Sequence, residues 1–183
     1  MPKKFSIRIE RGNLKNCEIS SGFFDVGARI TTSLNRGILF NILTNKFYID
    51  FENLIVADFC AGSGIVGFEM LSLGAKKCYF VENDIKKCKN INLAIEKKQF
   101  QGEVLQCFLP RIPAFEEKID IIFFDPPYEN NFCDKTLENL YQQDILNENG
   151  IIILESTKKP EGEFKIIHQK ELKNGATFWF LKK

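Results

Sequence analysis

"ADFCAGSGIVGFEML", residues 57–71, is the stretch whose reading decides the fold. The apolar run that leads into it, "LIVADF", reads as a strand, and Ile65 to Leu73 has helical spacing. Gly62, Ser63, Gly64 and Gly67 lie across the junction, so the chain turns tightly from strand to helix. Glycines at such a turn let a ligand approach backbone N–H groups at a helix start. Taken literally, Gly62 to Gly67 satisfies G-x-G-x-x-G, the dinucleotide fingerprint. Ser63 is no nucleophile elbow, because G-x-S-x-G is absent.

Two acids narrow the ligand. Asp58 ends the strand just before the loop, where its carboxylate would repel a pyrophosphate but suit an ammonium group. Glu82 ends the next strand, 24 residues on, near the spacing of an acid that bonds ribose hydroxyls. A nucleoside joined to a cationic amino acid meets both demands. S-adenosylmethionine has that composition.

Outward from the loop, strands and helices alternate. "CYFVE", "EVLQCF", "DIIFF" and "GIIILES" read as strands. Helices are expected over Ile85 to Lys97 and Cys133 to Gln143. Ahead of the loop, Leu34, Ile38, Leu39, Ile42 and Leu43 mark one helix from about Thr31 to Lys46. "FSIRIERG" and "NCEIS" alternate like a short hairpin, and "FKIIHQKEL", "KNGA" and "TFWFL" form a second one at the far end. Repeated βα units with near-continuous apolar strands imply an α/β fold, its parallel sheet covered by helices on both faces. Ligands of such sheets bind beyond the carboxyl ends of the strands.

"IIFFDPPYEN", residues 121–130, ends at that rim. Pro126 and Pro127 have no N–H, so the loop presents carbonyl acceptors without competing donors. A proline after Asp125 holds that residue extended and aims its carboxylate off the strand end. An exocyclic amine suits this setting: its two N–H groups reach Asp125 and the Pro126 carbonyl while Tyr128 stacks on the ring. Holding both hydrogens turns the amine's lone pair outward, toward a sulfonium methyl, and positioning supplies much of the rate. Asp125 can accept the proton after attack.

Composition is that of an ordinary globular chain: 183 residues, 44% hydrophobic and 27% charged, enough for one substantial core. No apolar run approaches the roughly 20 residues of a membrane helix, and the N-terminus has no signal-peptide pattern. Six scattered cysteines without C-x-x-C, and a single histidine, His168, argue against zinc and for reduced thiols in a cytoplasmic setting. No metal and no membrane partner are expected, and His168 is read as structural. The net charge of +1 divides into +4 over residues 1–16 and −3 over the rest. A basic arm on a mildly acidic body suits a phosphate backbone, and equally a solvated terminal hairpin.

Together, "DFCAGSGIVGFEMLSLGAKKCYFVEND" and "DPPY" resemble the class I, DPPY-type amino methyltransferases. More narrowly the chain resembles the RsmD family, bacterial methyltransferases of the guanine 2-amino group in small-subunit ribosomal RNA. The resemblance covers nearly the whole chain. It implies a Rossmann-like class I methyltransferase fold with a seven-stranded, mostly parallel sheet, a terminal reversed hairpin and a small N-terminal β-hairpin. Residues 1–30 would then be a basic hairpin extension and 31–183 a single methyltransferase domain. It further implies S-adenosylmethionine as cofactor, with Asp58 and the loop Ala61, Gly62, Ser63, Gly64 at its methionine part and Glu82 at its ribose. Phe59, Cys60, Asn83 and Phe108 complete the expected cofactor lining, Phe59 and Phe108 beside the adenine. Asp125, Pro126, Pro127 and Tyr128 would hold the target base. Arg8, Arg11, Lys15, Arg29, Thr31 and Arg36 would contact ribosomal RNA, free or within a partly assembled subunit, and a monomer is expected. "RITTSLNRGILFN" departs from the family's segment R-P-T-x-D-R-V-R-E: Ile30 replaces the proline, Ser33 the acid, Leu34 an arginine and Gly37 the glutamate.

Three other readings remain open. A DNA adenine or cytosine amino methyltransferase would share the loop chemistry, though the chain has little room for a separate sequence-reading domain. A non-catalytic RNA-binding module that keeps the fold would explain the departures at Ser33, Leu34 and Gly37. A nicotinamide dehydrogenase comes last, because of Asp58.

Overall fold

The computed structural model describes residues 6–20, 31–127 and 131–183; Arg29 and Tyr128 lie outside the described residues. The chain begins with an antiparallel hairpin, β1 (Ser6–Arg8) and β2 (Glu18–Ser20), in the register Ile7 opposite Ile19. Helix α1 (Ser33–Asn41) follows, its first turn capped by the Thr32 side chain, which accepts from the Asn35 N–H at 3.2 Å. The single helix expected to Lys46 widens instead into a π-helical turn over Ile42–Lys46. There the Phe47 N–H bonds the Ile42 carbonyl at 3.1 Å, five residues back, and Phe47 packs on Phe180 with centroids 5.3 Å apart.

The body alternates as its pattern predicts: β3 (Ile55–Phe59), α2 (Ile65–Ser72), β4 (Lys77–Glu82), α3 (Ile85–Lys98), β5 (Gly102–Gln106), β6 (Ile119–Phe124), α4 (Phe132–Gln142), β7 (Leu146–Ser156), β8 (Lys165–Glu171) and β9 (Thr177–Lys182). The sheet has seven strands in the order β5-β4-β3-β6-β7-β9-β8. All pairs through β7 are parallel; β9 runs antiparallel to both β7 and β8. From β3 the chain first builds outward through β4 and β5, then returns to lay β6 on the other side of β3. Loops leaving β3 and β6 therefore diverge and open a crevice between them.

Strand alternation sends successive side chains to opposite cores. Val56, Ile121 and Phe123 join α1 and α2 on one face, with Leu39, Phe40, Val66 and Phe68. Ala57, Phe59, Ile122 and Phe124 join Leu137 and Leu140 of α4 on the other. Asp58 has the parity of Val56, so its carboxylate comes out under α2. Phe68 meets Phe80 at 4.8 Å and Phe100 at 4.9 Å between ring centroids, pairs that each add about 0.5–1.5 kcal/mol beyond their buried area. These rings fix α2 against β4.

The hairpin is packed into the same core: Ile9 and Ile19 are buried beside Leu39 and Phe40. Its turn is locked to the end of α2, where Asn13 and Leu14 donate their N–H groups to the Ser72 carbonyl (2.8 Å) and hydroxyl (2.9 Å). Gly12, at φ +74°, passes so close that a Cβ there would lie 1.9 Å from the Ser72 carbonyl oxygen. No helix among the described residues is long and apolar enough to cross a membrane.

Candidate active site

The glycine loop is shaped by a run of left-handed residues, Cys60 (φ 58°), Gly62 (φ 56°) and Gly64 (φ 73°). A Cβ on Gly62 would find nothing closer than 3.8 Å, so this backbone faces open space that a ligand can enter. Gly67 has a different reason to lack a side chain: a Cβ would stand 2.4 Å from Phe80 and 2.8 Å from the Cys78 sulfur. It lets α2 press onto β4.

Glu82 braces the loop from below. One carboxylate oxygen accepts the Gly62 N–H at 2.8 Å; the other accepts those of Asn83 at 2.9 Å and Asp84 at 3.0 Å. A carboxylate offers about four acceptor sites, so three backbone donors leave one for a ligand hydroxyl. Asp58, 2% exposed, accepts the Gly67 N–H at 2.9 Å. Burial pushes its carboxyl well above the usual carboxylate range; the Gly67 N–H opposes this, while Asp125 and Glu82 push further upward. Asp125 follows the last residue of β6, and its N–H reaches the Phe59 carbonyl across the switch point at 3.3 Å.

Asp58, Glu82 and Asp125 thus gather at one end of three adjacent strands, close enough that the last two raise the cost of ionising Asp58. Among the described residues the basic group paired with Glu82 is Lys87, its ammonium nitrogen 4.0 Å away and its side chain 40% exposed. Such a cluster calls for a cation, and the open space beside Gly62 leaves room for one. A ligand with an ammonium or sulfonium centre and ribose hydroxyls fits these residues.

The family model described as "Conserved hypothetical protein 95" matches residues 7–181. The chain belongs to this family. The resemblance to the RsmD family read from the sequence is the same relationship, for two curated relatives are named small-subunit methyltransferase D. "Ribosomal RNA small subunit methyltransferase D" of Buchnera aphidicola is 32% identical over 161 residues, 86% of this chain and 81% of that protein. The protein of the same name from Haemophilus influenzae is 32% identical over 105 residues, 54% of either chain, so that match spans about half of the relative. Among solved structures, yhhF from Escherichia coli, provisionally called a methyltransferase, superposes with a TM-score of 0.81 at 21% identity, over 98% of this chain and 99% of that one. A 16S rRNA N2-methyltransferase from Thermus thermophilus, solved with AdoMet and guanosine, gives 0.68 at 20% identity, over 99% of this chain and 50% of that one. At these identities the structures establish the class I methyltransferase fold, and the family's seven-stranded sheet with its reversed terminal hairpin is present.

Within this RsmD-family chain the expected site residues divide. Ala61, Gly62, Ser63, Gly64, Asp58, Glu82 and Asn83 stand together at the rim, Ser63 accepting the Ile65 N–H at 3.3 Å. Phe108 is 68% exposed just beyond β5, two residues past Gln106, which lies opposite Glu82. Phe59 does not line the crevice: its ring is fully buried, 6.1 Å from Phe115 and 6.2 Å from Phe124. Strand alternation turns it toward α4, and its carbonyl accepts the Asp125 N–H. The Cys60 thiol is pushed far up by burial and by the three carboxylates, which disfavours the thiolate. Pro126 is buried and Pro127 exposed at the end of the described strand.

The expected RNA contacts divide too. Arg8, paired to Glu18 at 3.2 Å, and Lys15 are exposed. Arg36 is 3% exposed and does not face RNA; its guanidinium is bound to Glu69 at 3.1 Å and to Glu10 at 3.1 Å. Arg11 joins the same cluster, 3.5 Å from Glu69 and stacked over Phe40. Glu69 had a visible signal: a charged residue amid the apolar run of α2 requires a buried cation. His168 packs between Phe47 and Phe180, and burial with Lys46 and Lys170 nearby lowers its pKa.

Proposed function

We propose that the chain is an S-adenosylmethionine-dependent methyltransferase of ribosomal RNA, acting on the 2-amino group of a guanine in the small subunit. The observation that carries this reading is the convergence of Asp58, Glu82 and Asp125 around the open Gly62 backbone, next to two prolines without N–H groups. Asp58 and the glycine loop would hold the methionine part, the remaining lone pair of Glu82 a ribose hydroxyl, and Phe108 the adenine face. The bound cofactor supplies an electrophilic methyl on a sulfonium, already joined to a good leaving group.

The chain's own residues prepare the nucleophile. Asp125 and the Pro126 carbonyl accept the two amine hydrogens, Tyr128 stacks on the base, and the amine lone pair is left facing the methyl. Asp125 takes the proton once the new C–N bond has formed. The base must leave its stack to enter. Residues 1–30 serve as the RNA-holding extension of the catalytic body 31–183, which acts as a cytoplasmic monomer without metal. The names of the Buchnera and Haemophilus relatives support this choice of substrate.

The deciding experiment incubates the protein and labelled cofactor with small-subunit RNA, partly assembled subunits or duplex DNA, then maps the methylated base. Methyl on a guanine N2 of the RNA is expected. Transfer to adenine or cytosine of the DNA, or RNA binding with no transfer at saturating cofactor, would overturn the proposal.

A further inference from the structure

The hairpin, α1, α2 and the end of β6 meet in one polar knot. At its centre Glu69 is fully buried. Its carboxylate accepts the Glu10 N–H at 3.1 Å, Arg36 Nε at 3.1 Å and Arg11 Nη1 at 3.5 Å. Arg36 then reaches onward. Nη2 meets Glu10 at 3.1 Å, and Nη1 donates to the Thr31 carbonyl at 2.8 Å. The Thr31 hydroxyl in turn points at Asp125, 3.5 Å from Oδ2.

A guanidinium is a rigid planar fork, so binding Glu69 through one arm fixes where the other arm can hold Thr31. Glu69 is built on the same helix whose Gly67 N–H holds Asp58. One helix therefore sets both the cofactor acid and, through Arg36 and Thr31, the surroundings of Asp125. Burying this pair costs solvation that an apolar pair would not, which favours a role in geometry over one in stability. The 3.5 Å hydroxyl contact is long, as contacts around reacting groups often are before substrate tightens them.

We infer that Thr31 is a positioning residue for the Asp125 carboxylate and that the Arg36–Glu69 pair is its anchor. Thr31 aims the oxygen that receives an amine hydrogen; it does not touch RNA. The inference rests on the reading of Asp125 given above.

The test measures the single-turnover methyl-transfer rate, cofactor affinity by calorimetry and RNA affinity by filter binding for Thr31→Val, Thr31→Ser, Arg36→Lys and Asp125→Ala. Thr31→Val keeps the shape and loses the hydroxyl. Its rate should fall about tenfold, as for about 1.4 kcal/mol of lost positioning, with both affinities unchanged. Thr31→Ser should restore the rate. Arg36→Lys keeps the charge and loses the fork; its rate defect should largely vanish in a Thr31→Val background, since the two act in series. A fall in RNA affinity matching the fall in rate would make Thr31 an RNA contact and overturn the inference. So would a full rate in Thr31→Val while Asp125→Ala is inactive, which leaves the proposed chemistry standing. Normal transfer by Asp125→Ala would sink both.

Discussion

Asp58 shows what a single buried carboxylate costs the fold. Its folded pKa lies above the unfolded value of 3.8 because burial disfavours the charge. The folded state then holds the proton more tightly than the unfolded chain. Stability is therefore lost progressively as pH rises from about the unfolded value through the raised one. Asp58→Asn can still accept the Gly67 N–H without the charge. It should melt higher than the parent at neutral pH, each kcal/mol appearing as about 2–4 °C, with the gap closing toward pH 4. The same variant should bind S-adenosylmethionine roughly tenfold to a hundredfold more weakly, for want of a charged acceptor. Paired thermal scans and calorimetry across pH check both signs; a variant that melts lower at neutral pH would contradict the buried-charge account. Glu82 matters through its hydrogen bonds, its carboxylate accepting three backbone N–H groups. Glu82→Gln turns an amide NH₂ toward N–H groups of Gly62 or of Asn83 and Asp84, and should lower stability by about 1–3 kcal/mol in urea denaturation.

At the scale of elements, the seam between α2 and β4 decides where the loop sits. Gly67 lies 2.4 Å from Phe80 by its absent Cβ, and Phe80 is held by Phe68. Gly67→Ala has no backbone penalty to explain away, since this glycine is not left-handed. The methyl must push the helix off the strand. A loss of about 1–3 kcal/mol is expected, together with weaker cofactor binding as the Gly67 N–H leaves Asp58. Chemical denaturation and calorimetry on one preparation measure both; weakened binding with unchanged stability would mean that the glycine serves the ligand rather than the seam. Elements were the most legible part of the sequence. The near-continuous apolar strands and the 3.6-residue spacing of α2, α3 and α4 reflect burial, which each residue carries with it. The π-helical turn at Ile42–Lys46 was not legible, because Phe47 finds its place on Phe180, more than a hundred residues away in sequence.

For the whole molecule, charge is where the first expectation changed most. Residues 1–16 read as a basic arm of net +4 or equally as a solvated hairpin, yet Arg11 faces Glu69 and only Arg8 and Lys15 among its described cations are exposed. The exposed Arg8–Glu18 pair contributes about 0–1 kcal/mol to the fold, so Arg8 can exchange Glu18 for a phosphate at little cost. Arg8→Ala and Lys15→Ala should each weaken RNA binding across sequences and flatten the dependence of log affinity on log salt by about 0.7–0.9. Arg11→Ala should instead loosen the arm. Binding titrations from low to moderate salt distinguish these outcomes, and an unchanged slope for both exposed cations would remove the arm from the RNA path.

By itself the sequence determined the order of strands and helices, the glycine turn and the acids placed at the strand ends. All of these follow from steric and hydrogen-bonding rules that act over a few residues. Tertiary structure alone decided which groups were already taken: Arg36 by Glu69, 33 residues on, the Phe59 ring by Phe115 and Phe124, and the Gly62 N–H by Glu82. A charge or a ring announces its chemistry in the sequence. Its partner, and hence whether it is available to a ligand, exists only once the chain has brought distant segments into contact.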